Sequence, residues 1–367
     1  MKLYRIMGFI FKYLVWIFFP LSLIHYFLIL LRNKLYDFNI LNTQRLTVPV
    51  ISVGNIQLGG TGKTPLIIEL IEKIQNSGLT IGILSRGYKR KNNEEIVLDL
   101  QNEEINNRDY TLIGDEPAII LEYLKKGAIG IGANRYRVGL KLLNKASPDI
   151  ILLDDGFQHR KLYRDFDICM INVSKWQKYP FLYPFSYLRD TKSSLKRANA
   201  IILTKFGSNY QLVEEIKTNL ESTYKKPIFL AGFSIDGLVK IPEQTINELS
   251  EIKNKKVAAF SGIADSNDFF NLLKTEGINV VYSKEFPDHY NYTINDLKKI
   301  NHDSSKNGAD ILITTEKDEV KIKSLIEQQQ KAYLDIYFIK VRFEIENEKR
   351  FIDLIEKRID LFKNKVS

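Results

Sequence analysis

The chain is 367 residues long, enough for two ordinary domains with separate cores. Apolar residues make up 44% and charged residues 26%, which excludes a disordered or fibrous chain. The net charge of +9 suits an acidic substrate, an anionic membrane face, nucleic acid or a plainly solvated surface, while a single cysteine, Cys169, excludes an internal disulfide framework and a cysteine-based metal cluster.

The first element is apolar. From Tyr13 to Leu31, "YLVWIFFPLSLIHYFLILL" carries no Asp, Glu, Lys or Arg in 19 residues, close to the roughly 20 that a helix needs to span a bilayer core. Lys2, Arg5 and Lys12 precede it, and Arg32 and Lys34 follow. Pro20 lies mid-stretch and predicts a kink. The absence of a small-residue cleavage site argues against a signal peptide. A spanning helix and a helix packed on the protein's own core remain open. Pro20 and the basic flanks favour a kinked helix lying in the membrane interface.

Next comes an alternation of strands and helices. "VPVISVGNIQL" reads as a buried strand, "TPLIIELIEKIQNSG" as a helix stopped by Gly78, and "TIGILSRGYKR" as a strand ending in a basic loop. "KRKNNEEIVLDLQNEEINNRD" reads as an exposed loop or hairpin. "GDEPAIILEYLKKG" opens a helix, "GAIGIGANRYRVGLKLLNKA" is a strand and a helix, and "PDIILLDDGFQHR" is a strand ending in two aspartates. "DFDICMINV", which holds Cys169, and "NAIILTKF" are further strands. The pattern predicts an α/β fold with a parallel sheet and functional groups at the carboxyl ends of its strands. A shorter α/β series follows residue 225: "PIFLAGF", "KVAAFSGI", "INVVYSKEF", "ADILITT" and "DIYFIKVRFEI", with a closing amphipathic helix. The expected organisation is an N-terminal membrane-associated helix over residues 1–40, a core lobe over 41–225 and a smaller α/β lobe over 226–367, with the boundary around residues 207 to 227.

Between the first strand and helix stands Gln57-Leu58-Gly59-Gly60-Thr61-Gly62-Lys63-Thr64. Strand, glycine-rich loop and helix is the context of a phosphate-binding P-loop, although Gln57 occupies the place of its usual first glycine. Glycines let backbone N–H groups converge on phosphate oxygens, and the helix N-terminus adds about half a positive charge. Lys63 reaches the terminal phosphates and the Thr64 hydroxyl is a Mg²⁺ ligand. Asp154 and Asp155, at a strand end, resemble the acidic element that orders Mg²⁺, and His159 either lines the site or packs beneath it. The expected cofactors are therefore ATP and Mg²⁺. Asp115-Glu116-Pro117 suits a helix start as well as it suits catalysis. Arg135 is either a phosphate ligand at a helix start or a solvated arginine. Thr204-Lys205 ends a strand and is a candidate contact to the nucleotide base. The four histidines show no zinc-ligand spacing.

In order, "GGTGKTP", "LSRGYKR", "GDEP", "GANR", "DDGFQH", "LRD", "FSGIAD", "FPDHYNY" and "TTEKDEVK" resemble the tetraacyldisaccharide 4′-kinase family over about Pro49 to Lys321. "GYKR" stands where the family has "GYGR", and Gln57-Leu58 where it often has Thr-Ala; neither change removes a catalytic group. The resemblance implies transfer of the ATP γ-phosphate to the 4′-hydroxyl of a tetraacylated glucosamine disaccharide 1-phosphate, the lipid A precursor. The implied location is the cytoplasmic face of the inner membrane, peripheral or single-pass. It also implies that Asp115 takes the hydroxyl proton, paired with His289 of the second lobe, with Asp288 a weaker candidate beside it. Lys63 joins them in catalysis, and Arg86, Glu116, Arg135 and His159 are expected to bind substrate. "TTEKD" receives no mechanical role. No nucleic acid and no obligate protein partner are expected. Two alternatives are a membrane-bound P-loop ATPase switch without a small acceptor, and a soluble small-molecule kinase.

Overall fold

The structure, a computed structural model, describes residues 19–87, 90, 94–100, 113–177, 181–183, 185–205, 210–243, 245–327 and 334–366. Among the described residues the first element is helix α1 (Phe19–Asp37), which contains Pro20. The preceding part of the apolar stretch lies outside the described residues. Among the described residues no helix is long and apolar enough to cross a membrane.

Next come β1 (Val50–Asn55), α2 (Lys63–Asn76), β2 (Ile81–Ser85), β3 (Ile96–Asp99), α3 (Asp115–Tyr123), β4 (Gly127–Ile131), α4 (Arg135–Ala146), β5 (Ile150–Asp154), β6 (Phe166–Asn172), β7 (Ala200–Thr204) and α5 (Tyr210–Tyr224). The second series is β8 (Ile228–Ile241), β9 (Ile246–Asn247), β10 (Lys256–Ser261), α6 (Ser266–Thr275), β11 (Asn279–Glu285), α7 (Ile294–Lys306), β12 (Ile311–Thr315), α8 (Glu316–Glu327), β13 (Asp335–Ile345) and α9 (Glu348–Val366). The strands form one large, mostly parallel sheet in the order β11-β10-β12-β13-β8-β7-β6-β1-β5-β2-β4-β3, with β9 paired to β8.

Strand β1 is buried at every position and lies between β5 and β6, as a β-branched run in a doubly covered parallel sheet should. Helix α2 follows it back over the sheet because Leu66, Ile67, Leu70, Ile71 and Ile74 recur at helical spacing and are all buried. The expected exposed hairpin proves to be only partly loop. Ile96–Asp99 pairs antiparallel with Ala128–Ile131 and closes one sheet edge, because Asp99 and its neighbours find backbone partners there. Most of the rest of that segment lies outside the described residues. Helix α5 occupies the expected boundary region and buries Val213, Ile216 and Leu220.

Strand β8 joins the two halves. Its first residues, Ile228–Leu230, run parallel to β7, and Ala231–Ile241 then pairs antiparallel with β13. Beyond it, β10, β12 and β13 alternate faces with period two: Val257, Ala259, Ile311, Ile313 and Ile339 enter one core, and Ala258, Phe260, Leu312 and Phe338 the other. Helix α9 does not stay with these strands. Phe351, Ile355 and Ile359, four apart on one face, enter the same core as Leu66 and Leu70 of α2.

Candidate active site

The cleft forms where strands from both halves end. The P-loop leaves β1 with Gly59 at φ 92° and Gly62 at φ 90°, backbone that only glycine adopts freely. A Cβ on Gly62 would also lie 2.8 Å from Phe233, which packs edge to face on Phe343 at 5.3 Å, so the loop is backed by the two strands that link the halves. The Gln57 side chain replaces a turn glycine with two hydrogen bonds. Its Nε2 donates to Asn172 O at 3.0 Å, and its Oε1 accepts from Asn172 N at 2.7 Å. The amide is thus committed to β6, and Gln57 faces ligand only through its backbone. Leu58 N–H donates to Tyr187 O at 2.6 Å. Asn55 Nδ2 donates to Thr61 Oγ1 at 2.9 Å, and Lys63 and Thr64 begin α2.

Beside the loop, β5 ends in Asp154 and Asp155. The Lys63 ammonium lies 3.6 Å from Asp155 Oδ1, and Arg189 of "LRD" grips both oxygens of the same carboxylate. Despite burial, these cations hold Asp155 well below the ordinary carboxylate range. Asp154 is the opposite case. Burial, Glu116 and Asp155 push it up to about 7, against Lys63 and a 2.8 Å hydrogen bond from Ser85 Oγ. Its other oxygen, Oδ1, is buried without a partner. That orphan acceptor, next to a second carboxylate and the Thr64 position, fits Mg²⁺, which takes one or two carboxylates along with substrate phosphates.

Arg135 begins α4 at the end of β4 and is buried, with Nη1 donating to Ala133 O at 3.0 Å and Nε unpartnered. Burial and the nearby Arg86 lower its pKa, while Asp155 and Asp154 oppose them. Two guanidiniums within electrostatic reach of each other make this end of the sheet favourable to an anion. His159 lies within electrostatic reach of Arg135. Its ring is pushed down to about 4 by burial and by Arg135, Arg164, Arg32 and Lys161, so it is neutral, and its Nε2 is buried without a partner.

The other wall carries the predicted pair. His289 Nδ1 lies 2.9 Å from Asp115 Oδ2, although 174 positions separate them in the chain. Asp115 opens α3 behind Gly114, and His289 sits at φ 61°, a left-handed conformation that costs roughly 1 kcal/mol and clusters at functional sites. The "TTEKDEVK" segment, silent in sequence, completes the wall. Lys321 is 1% exposed and its ammonium forms an ion pair with Asp115 Oδ2 at 3.0 Å. Lys317 Nζ lies 3.4 Å from His289 Nε2, 3.5 Å from Asp288 Oδ1 and 3.8 Å from Glu116 Oε1. Asp318 anchors the cluster: it accepts Gly262 N–H at 3.1 Å, Tyr292 OH at 3.0 Å and Thr315 Oγ1 at 2.6 Å. Burial alone would raise the Asp115 pKa, but the His289 hydrogen bond and the charges of Lys321 and Lys317 outweigh it and hold it below the ordinary value.

The structure therefore gathers Lys63, Asp154, Asp155, Glu116, Arg135 and the Asp115–His289 pair around one cleft. Arg86 is exposed at its rim. Lys317, Lys321 and Arg189 escaped sequence reasoning. A pair of strand-end aspartates in an apolar setting demands nearby cations, and the arginine of "LRD" was the available signal. The arrangement can hold a polyphosphate on the loop and take a proton from a hydroxyl on the facing wall.

The chain is similar to known proteins over most of its length. Residues 14–360 match the family described as "Tetraacyldisaccharide-1-P 4'-kinase". The tetraacyldisaccharide 4'-kinase of Aquifex aeolicus is 33% identical over 337 residues, covering 92% of this chain and 96% of that protein. The protein of the same name from Flavobacterium johnsoniae is 32% identical over 341 residues, covering 92% and 95%. The crystal structure of the Aquifex aeolicus protein in complex with ATP superposes with a TM-score of 0.73 at 31% identity, covering 93% of this chain and 98% of that one.

Proposed function

This chain belongs to the tetraacyldisaccharide 4'-kinase family, and from that premise we propose how its cleft carries out the family reaction. The protein is an ATP-dependent kinase of lipid A biosynthesis that phosphorylates the 4′-hydroxyl of the tetraacyldisaccharide 1-phosphate precursor. The loop from Gln57 to Thr64 receives the ATP phosphates on its backbone N–H groups, with Lys63 on the terminal ones. Asp154, Asp155 and the Thr64 hydroxyl would hold Mg²⁺, which when bound neutralises phosphate charge. Arg135, Arg86 and Glu116 orient the acceptor and its phosphate, and His159, within reach of Arg135, offers them a neutral side chain.

Asp115 accepts the proton of the 4′-hydroxyl as its oxygen bonds to the γ-phosphorus and the bond to the β–γ bridging oxygen breaks, releasing ADP. His289 orients the carboxylate and shares the proton. The observation that carries this reading is the 2.9 Å contact between Asp115 and His289, assembled from two halves of the chain around a P-loop. A switch ATPase has no use for that pair.

Helix α1 supports a position at the cytoplasmic face of the inner membrane. It packs Ser22, Tyr26, Ile29 and Asn33 inward, while Leu21, Ile24, Phe27, Leu28 and Leu31 form an exposed apolar strip among the described residues. A helix of this kind lies in an interface, among lipid headgroups and acyl chains.

The direct test supplies labelled ATP and the disaccharide 1-phosphate in detergent micelles. Label should appear on the lipid, and wild-type protein that yields no labelled lipid would sink the proposal. Asp115→Ala should lower kcat by roughly 10² or more. Near-normal turnover would remove Asp115 from the proton path.

A further inference from the structure

We infer that Lys175 and Lys205, bridged by the Asp265 carboxylate, are additional contacts for the nucleotide phosphates. Lys175 ends the short turn after β6, and Lys205 follows β7 directly. These strands lie side by side next to β1, so both ammoniums reach the mouth of the P-loop from the carboxyl edge of the sheet, where α/β folds bind ligands. A Cβ on Gly59 would lie 2.7 Å from Lys175 Nζ, and one on Gly60 would lie 3.4 Å from Lys205 Nζ and 3.1 Å from Asp265 Oδ2. The three charges therefore touch the loop glycines themselves.

Asp265 comes from the other half of the cleft, at the start of α6. Its Oδ1 lies 2.6 Å from Lys175 Nζ and its Oδ2 lies 2.9 Å from Lys205 Nζ. Asp268, largely exposed on α6, lies 2.8 Å from Lys205 as well, and the Tyr187 ring lies 5.5 Å from Lys175. An aspartate before a helix ordinarily caps it, yet the Asp265 side chain makes no cap hydrogen bond and serves the two lysines instead. Lys205 holds φ 55°, a backbone conformation uncommon for a lysine. One carboxylate shared by two ammoniums against a phosphate loop reproduces the charge pattern of a bound phosphate. Incoming nucleotide competes with Asp265 for both lysines.

This inference rests on the nucleotide-binding reading above and is tested without the lipid acceptor. Binding of a fluorescent ATP analogue is titrated into the full chain, with unlabelled ATP and adenosine as competitors. Lys175→Ala and Lys205→Ala should each weaken ATP binding about tenfold, as expected for loss of a charge-assisted hydrogen bond, and leave competition by adenosine unchanged. Lys175→Arg and Lys205→Arg should restore most of the loss, which separates lost charge from misfolding. Asp265→Asn, by freeing Lys175 and leaving Lys205 only the exposed Asp268, should tighten ATP binding several-fold and steepen its salt dependence. Wild-type affinity in either alanine variant, or unchanged or weaker binding in Asp265→Asn, would overturn the inference. A wild-type chain that binds no ATP would instead overturn the nucleotide reading itself.

Discussion

Asp115 is a weak base by itself, and its neighbours keep it charged where it is needed. A carboxyl buried to this degree would ordinarily gain pKa, but the His289 hydrogen bond, Lys321 and Lys317 reverse the shift. Since its folded pKa lies below the unfolded value, its contribution to stability is present above the unfolded pKa and is lost as pH falls through the folded one. Lys321 is the fully buried member of this set, and its charge acts beside the His289 hydrogen bond. Lys321→Met keeps its length and removes the charge, so burial then dominates and the Asp115 pKa rises. The acidic limb of the kcat/KM profile should move to higher pH and kcat should fall by about 10–100-fold, within the range of acid–base effects. ATP affinity should stay the same. A pH profile superimposable on wild type would exclude Lys321 from the control of Asp115. In sequence the residue is marked only as the last letter of "TTEKDEVK" and receives no role, because a lysine on a charged helical segment reads as solvated until a partner 206 positions earlier (321 − 115) folds against it.

At the level of elements, α3 carries Asp115 and α8 carries Lys317 and Lys321, so the seating of one helix on the other sets the geometry of the pair. Tyr123, at the end of α3, donates to Glu316 Oε1 at the start of α8 at 2.5 Å. Burial, aided by Glu122 and opposed by the Tyr123 hydrogen bond and Lys340, pushes Glu316 up to about 7. A raised carboxyl binds its proton more tightly folded than unfolded, so between the unfolded value near 4.5 and about 7 the chain loses stability as pH rises. Glu316→Gln keeps an acceptor for Tyr123 without the buried charge. At pH 8 it should melt higher than wild type, by an amount on the order of 1–3 kcal/mol, and the difference should vanish near pH 4.5. A gap that does not change with pH would rule this linkage out. The seat itself was invisible in sequence. β1, β2, β5 and β7 were legible as β-branched runs of strand length, and α2 as a 3.6-residue apolar period, since both patterns are local. Helix–helix contact between residues near 120 and 316 is not local, and "TTEKD" bore only a recognisable spelling. Helix α1 was legible as apolar, but its orientation was not: its inward face mixes Tyr26 and Ile29, packed on the core, with bonded polar groups, Asn33 Nδ2 donating to Asp190 Oδ1 at 3.1 Å. Replacing Ile24, Phe27 and Leu28 together by Ser should reduce co-sedimentation with anionic vesicles and raise KM for the lipid acceptor, with ATP affinity preserved. Unchanged sedimentation would detach α1 from the membrane reading.

The whole molecule is tied together by chain that crosses between its halves. β8 pairs with β7 at one end and with β13 along the other, so the sheet continues through the middle without a seam. β13 returns across the same line, placing Phe343 and Ile345 in the core that holds Leu66 and Leu70. α9 then buries Phe351, Ile355 and Ile359 in that core, with Phe351 edge to face on Phe229 at 5.2 Å and Arg358 Nε donating to Asp165 O at 2.7 Å. Its amphipathic pattern was evident in sequence, but periodicity states that a face is buried and not which surface buries it. Removing the last twenty residues, 348–367, would therefore open the core behind α2, the helix on which Lys63 and the P-loop depend. Loss of three large apolar side chains from one core costs several kcal/mol, at about 2–5 each, comparable to the total stability of a domain. The truncated chain should lose ATP binding and unfold non-cooperatively in calorimetry, whereas the full chain should unfold in one transition. A truncated chain that keeps ATP affinity, or a full chain that melts in two separated steps, would mean that the halves fold independently. In that case the Asp115–His289 contact would depend on docking of two finished lobes; with α9 and β8 shared, it is set by the same core that folds the phosphate loop.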